Sequence, residues 1–310
     1  MRSTILRPSV FAGAVFLLAL AFLLPQSGLY GLSLFAFVPI AVGGLGAVVV
    51  GAKTEKSATL AGALSGFLGS LFFLAIGVEG LICVVMVLPL VLPLGAIGGW
   101  LAYEMREKKR TVTHSRFLML ALPLSLAWDL NAPNPLFEVR STMEINASPE
   151  VVWKNVVSFS DLPDPDEWYF KTGIAYPIRA RIEGSGPAAI RYCEFSTGDF
   201  VEPIEVWEEP TLLRFAVTRN APPMQEWSPY GQVRPRHLHG YLVSEKGQFR
   251  LTRLANNRTL LEGTTWYRHG LLPAQYWRLW SDAVIHRIHV RVLNHIKTLS
   301  EAESTPRSLD

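Results

Sequence analysis

Residues 137–153 read FEVRSTMEINASPEVVW, and the hydrophobic period changes partway along the stretch. Phe137, Val139, Met143 and Ile145 alternate with Glu138, Arg140, Thr142 and Glu144, which gives an extended chain one apolar side and one polar side. The alternation ends at Asn146-Ala147. Ser148 then suits a helix N-cap, and Pro149 suits the first helical position, where its missing N–H has no partner in any case. Glu150 favours the positive end of the helix dipole. The stretch predicts a half-buried strand feeding directly into a short helix that runs through Val157.

What precedes it is of another kind. Of 310 residues only 18% are charged, and the mean hydropathy is positive, which is unusual for one soluble body. Residues 1–130 hold nine Lys or Arg against five Asp or Glu; the remainder holds twenty against twenty-one. The basic excess therefore belongs to the apolar part, and no basic stripe of the kind nucleic acid requires is present. Apolar runs cover 10–24, 32–52, 58–78, 81–103 and 117–130. About 20 helical residues cross a hydrocarbon core of roughly 30 Å, so the middle three runs suffice. The first follows Arg2 and Arg7 without a small-x-small cleavage site and reads as an uncleaved signal anchor. The fifth, with 14 residues, is short unless Arg116 snorkels.

Positive charges at Arg2, Arg7, Lys53, Lys56 and between Arg106 and Arg116 occupy every second connection. That pattern puts the N-terminus and the 53–57 and 104–116 loops in the cytoplasm, and the chain from 137 onward outside it. A fifth run that only lies on the surface would return the C-terminal part to the cytoplasm. The expected setting is a bacterial inner (cell) membrane. Gly62 and Gly66, and likewise Gly95 and Gly99, are expected to serve as close-packing surfaces, and Pro89 and Pro93 to kink their helix. Residues 131–136 read as a linker, 137–302 as one domain and 303–310 as a disordered tail.

Downstream of 153, strand candidates at 178–184, 188–196, 199–208, 211–218, 240–254 and 259–268 are separated by turn signals such as Gly184-Ser-Gly-Pro187 and Asn256-Asn257. A long helix follows over 273–299, with Trp277, Val284, Ile288, Val292 and Leu299 on one face. The fold class expected is a multi-pass α-helical membrane domain followed by an α+β helix-grip domain, its curved antiparallel sheet wrapped around the last helix.

The stretch STMEINASPEVVWKNVVSF (141–159) resembles the opening of the START-like, or SRPBCC, superfamily, the polyketide cyclase/dehydratase and lipid transport group. RARIEGSGPAAIRYCEFSTG (179–198) and RTLLEGTTWYRHG (258–270) also stand where that group places paired strands. The resemblance covers about half the chain and implies a cavity between sheet and helix for a hydrophobic small molecule or lipid. It implies no chemistry, because enzymes and carriers share that scaffold.

The cavity-facing set expected is Ile190, Tyr192, Glu194, Trp207, Tyr267, Trp277, Val284 and Ile288. A carboxylate pointing into an apolar cavity acquires a raised pKa and can act as acid or base, so Glu194 and Glu202 are the catalytic candidates, with Tyr192 as partner. Against this, Glu194 can pair with Arg179, Arg181 or Arg191 on a neighbouring strand. His237 and His239 would share a side if extended, but no third ligand lies at a readable spacing, and His286, His289 and His295 read as separate from one another on the long helix. Cys83 and Cys193 show neither a CxxC nor a His/Cys pattern, so no metal site, disulfide or cofactor is indicated. The Pro-rich segment 220–236 is long enough for a lid or flap. The function expected is a membrane-tethered domain binding a hydrophobic or lipid-like molecule; a cyclase/dehydratase-type enzyme and a ligand sensor for the membrane part are the alternatives. The expected partners are that ligand and the membrane, not nucleic acid, and the oligomeric state is open.

Overall fold

The computed structural model describes residues 8–107 and 111–304, with side chains from 10 to 107 and from 120 to 304. The chain forms two compact units. One comprises the residues up to Pro133 together with Glu226–His237 and Gly270–Tyr276. The other comprises Asn134–Gln225, Leu238–His269 and the chain from Trp277.

The first unit is built from α1 (Pro8–Gln26), α2 (Val38–Val50, entered through a π-helical turn at Ser33–Phe37), α3 (Glu55–Ala75), α4 (Leu81–Glu107) and α5 (Thr111–Asn131). Three helices are long and apolar enough to cross a membrane, over 33–50, 55–75 and 81–107; Val10–Gln26 is a shorter apolar helix. α3 starts on a reciprocal capping box, in which Thr54 Oγ1 accepts the Ser57 N–H and Ser57 Oγ accepts the Thr54 N–H. α4 continues as one helix through Pro89 and Pro93.

Glycine decides how α3 and α4 meet. A Cβ on Gly62 would stand 2.2 Å from the Gly95 carbonyl oxygen, and one on Gly99 would stand 2.1 Å from that of Ala58, so the two backbones touch where any side chain would hold them apart. α5 is longer than its apolar core suggests. It begins six residues before position 117, in the polar TVTHSR, and its 21 residues give about 31 Å of helix. Near its C-terminal end the Asp129 carboxylate accepts the N–H groups of Leu32 (2.6 Å) and Ser33 (2.9 Å), which cap the helical entry to α2. α5 thus returns to the end of the bundle where α2 begins.

The second unit opens with β1 (Phe137–Ile145) and α6 (Pro149–Val157), as the period change in 137–153 dictates. Ser148 occupies the N-cap, and its carbonyl, not its hydroxyl, takes the N–H groups of Val151 and Val152. β2 (Pro177–Glu183), β3 (Ile190–Phe195), β4 (Gly198–Glu208) and β5 (Leu212–Ala216) follow. After them come a small hairpin, β6 (Glu226–Ser228) and β7 (Gly231–Val233), which groups with the helical unit, then β8 (Leu242–Leu254), β9 (Arg258–His269) and α7 (Ala274–Ser304). Segment 220–236 is therefore not one flap: its end from Glu226 is an ordered hairpin of the first unit.

Seven strands form one antiparallel sheet in the order β1-β9-β8-β5-β4-β3-β2, in which the first strand of the unit pairs with the last, Phe137 opposite Tyr267 and Ile145 opposite Thr259. The sheet's inner face packs on α6 and α7 through a core that includes Ile145, Val152, Val156, Leu213, Leu261, Leu293 and Ile296. A curled antiparallel sheet laid against one long C-terminal helix is the helix-grip fold, as the element order predicts. α7 runs on to Ser304, and the tail beyond 304 lies outside the described residues.

Candidate functional site

A cavity of about 130 Å³ lies between the inner face of the sheet and α7. Its walls are mostly apolar: Phe195, Phe200, Phe215, Val217 and Phe249 come from the strands and their ends, and Val284, Ile285, Ile288 and Val292 from the helix. The connection after β5 contributes Asn220 to Pro223, and Asn220 is fixed there because its amide oxygen accepts the Ser244 N–H at 2.8 Å while its amide nitrogen donates to the Ser244 carbonyl at 3.2 Å.

Of the polar groups in these walls, which include Lys246, Gln248 and Thr264, two features stand out. Arg191 of β3 and Glu202 of β4 stand opposite each other in register, and the guanidinium Nη1 donates to Glu202 Oε2. The pair is withdrawn from water, at 2% and 8% side-chain exposure. Three rings surround the guanidinium, Phe159 and Phe215 at 5.5 Å and Phe249 at 5.6 Å, each able to offer its π-face to the cation. Burial pushes the Glu202 carboxyl above its usual range, and Arg191 pulls the other way. Among the described residues Arg191 Nε and Thr264 Oγ1, both buried on residues that line the cavity, have no hydrogen-bond partner.

The second feature is His289 of α7. Its Nε2 lies 2.8 Å from Thr265 Oγ1 and its Nδ1 3.2 Å from Ser141 Oγ, which also meets His286 Nδ1 at 2.7 Å. Burial, aided by His286, pushes His289 down to about 4, so the ring is neutral at ordinary pH. His286 and His289 are not separate, contrary to expectation. Residues three apart on a helix are neighbours, so His286 and His289 meet on Ser141, while His295 goes to the Ser160 carbonyl at 3.1 Å.

Of the cavity set expected, Val284 and Ile288 line it, and so does the catalytic candidate Glu202. Ile190, Tyr192 and Glu194 are a correction: they lie on the opposite face of β3 from Arg191 and Cys193. Glu194 is held by Arg179 Nε at 2.7 Å and Arg181 Nε at 3.2 Å, which keep its carboxyl below the usual range, and Arg181 stacks 3.9 Å above the Tyr192 ring. Side chains alternate along a strand, so taking the wrong parity moves every residue to the other face. Trp207, Tyr267 and Trp277 are also corrected to positions away from the cavity. Trp207 packs edge-on to Trp153 at 5.6 Å, the Tyr267 hydroxyl donates to Asp282 Oδ1 at 2.6 Å, and Trp277 is buried at the start of α7. His237 and His239 do not alternate, because Arg236–Leu238 is a 3-10 turn; His237 is half-buried and His239 exposed.

No protein-family model matches the chain, and no curated protein matches its sequence. Solved structures similar to it include a norcoclaurine synthase mutant from Thalictrum flavum in complex with a transition-state analogue, at 10% identity and TM-score 0.37, covering 56% of this chain and 100% of that one. The Zhui aromatase/cyclase from a Streptomyces species matches at 14% identity and TM-score 0.37, covering 56% and 99%. The protein XoxI from Bacillus cereus matches at 16% identity and TM-score 0.36, covering 54% and 99%.

Proposed function

We propose that the chain is a membrane-anchored binding protein whose helix-grip unit holds one small, largely apolar molecule bearing a hydrogen-bond acceptor. The observation that carries this reading is the cavity of about 130 Å³, whose apolar walls enclose a buried donor, Arg191 Nε, with no partner among the described residues. A ring-sized space suits that class of ligand, since an engineered apolar cavity of ~150 Å³ accepts benzene. Such a volume holds one ring or a short branched chain and excludes the whole of a two-chain lipid. An apolar ligand concentrates in the bilayer, so tethering its binder to the membrane raises the effective concentration of each for the other. Catalysis is the second reading. It is favoured by the presence in one cavity of a carboxyl pushed up, Glu202, and an imidazole pushed down, His289.

The topology proposed is five crossings with the helix-grip unit outside the cytoplasm. The positive charges of the 53–57 and 104–116 loops support it, as does the return of α5 to the start of α2. Solvent extraction of the purified full-length protein is expected to release a small apolar compound in near-equimolar amount. Ile288→Trp, which places an indole in the cavity, is expected to release little of it; equal amounts from both proteins would count against the reading.

A further inference from the structure

The helical unit gathers a second set of reactive groups from stretches far apart in the chain. Glu79 stands in the turn before α4, Cys83 in the first turn of α4, and His237 in the 3-10 turn after β7. Cys83 Sγ lies 2.7 Å from His237 Nε2, and His237 Nδ1 lies 3.6 Å from Glu79 Oε2. One ligating atom from each residue lies within 4.8 Å of the other two.

Neighbours hold the set in place. The Tyr30 hydroxyl donates to Glu79 Oε1 at 3.4 Å, and its ring meets the His237 ring edge-on at 5.0 Å. Glu226, fully buried on β6, accepts the N–H of Ile82 at 3.0 Å and of Cys83 at 2.8 Å, which fixes the first turn of α4 and with it the sulfur. Two carboxyl groups, a thiol and an imidazole thus converge in a poorly solvated place, and these are donor types that a divalent transition metal takes.

We propose that Cys83, His237 and Glu79 form a transition-metal site of the zinc type, with three protein ligands and a fourth position for water. A thiolate and an imidazole exclude calcium and magnesium, which take oxygen ligands, and one thiolate, one imidazole and one carboxylate match the ligand types of open tetrahedral zinc. Bonds of about 2.3 Å to sulfur and about 2.0 Å to nitrogen set those two donors roughly 3.5 Å apart, so the ion opens the Cys83–His237 contact slightly. The ion takes Cys83 as thiolate, His237 as neutral imidazole and Glu79 as carboxylate, so binding releases whatever protons these groups hold and affinity rises with pH. The other use of a thiol beside an imidazole is nucleophilic catalysis. Here the Ile82 and Cys83 N–H groups that would steady a developing oxyanion are already taken by Glu226.

The test is cobalt(II) titration of the chelator-stripped full-length protein in detergent. The expected result is one cobalt per chain, with a thiolate-to-cobalt charge-transfer band that zinc abolishes. Cys83→Ser removes the band, Glu79→Gln weakens binding about ten-fold or more, and His239→Gln binds like the parent. In the unsubstituted protein zinc slows maleimide labelling of Cys83, resolved from Cys193 by peptide mass spectrometry, a readout that needs no variant to fold. Two results overturn the site: a band that survives Cys83→Ser, or the absence of any band together with labelling of Cys83 that zinc does not slow.

Discussion

Arg191 is the residue around which the cavity turns, and its sequence context hides it. In IRYCEF the aromatic Tyr192 looks like the inward residue and the flanking arginine the outward one. A buried ion pair reverses that expectation, because Glu202 in register on β4 makes the inward arginine tolerable, while Arg181 gives Tyr192 an outer-face partner. Removing one partner of such a pair leaves a buried uncompensated charge. Arg191→Met is therefore expected to cost about 3–5 kcal/mol in chemical denaturation of the full chain, and Arg191→Met with Glu202→Leu is expected to recover most of it. His289 sets a pH dependence. The unfolded imidazole takes up its proton near 6.5 and the folded one near 4, so its contribution is complete above 6.5 and is lost as pH falls from there toward 4. The full contribution is about 3 kcal/mol at ~1.4 kcal/mol per pH unit. Denaturation midpoints measured across that window should fall with acid, and His289→Gln should flatten the fall.

At the scale of elements the sequence was most legible where a period runs long and a boundary has its own chemistry. β1, α6, β8, β9 and α7 lie within a few residues of where alternation, the Ser148-Pro149 start and the 3.6 period put them. α5 extended further than hydropathy indicates, because a helix can continue through Thr113, His114 and Ser115 although those residues add nothing apolar. The glycines at small-xxx-small spacing do what their size allows. Gly95→Leu has no space between α3 and α4 and is expected to abolish a cooperative melting transition in detergent, whereas Gly69→Ala, whose Cβ meets nothing within 4 Å, is expected to melt like the parent. Leu293, fully buried on α7 against the sheet, is expected to cost about 2–5 kcal/mol as Leu293→Ala.

For the whole molecule, the two-part organisation is visible in composition alone: the basic excess and the long apolar runs stop together near residue 130. The Cys83–His237 contact is not, since 154 residues separate its members and spacing rules see only local ligands. On the proposed topology, a reporter enzyme that folds only outside the cytoplasm should be active when fused after Asp310; an inactive fusion, with a cytoplasmic reporter active in its place, would put the unit on the other side. The central claim is that the space between sheet and α7 receives a small apolar molecule. Native mass spectrometry of the full-length protein released from detergent, with a small aromatic acceptor such as benzaldehyde added, tests it directly. The protein should retain one molecule per chain and Ile288→Trp none; equal retention by both, or retention by neither, would contradict it.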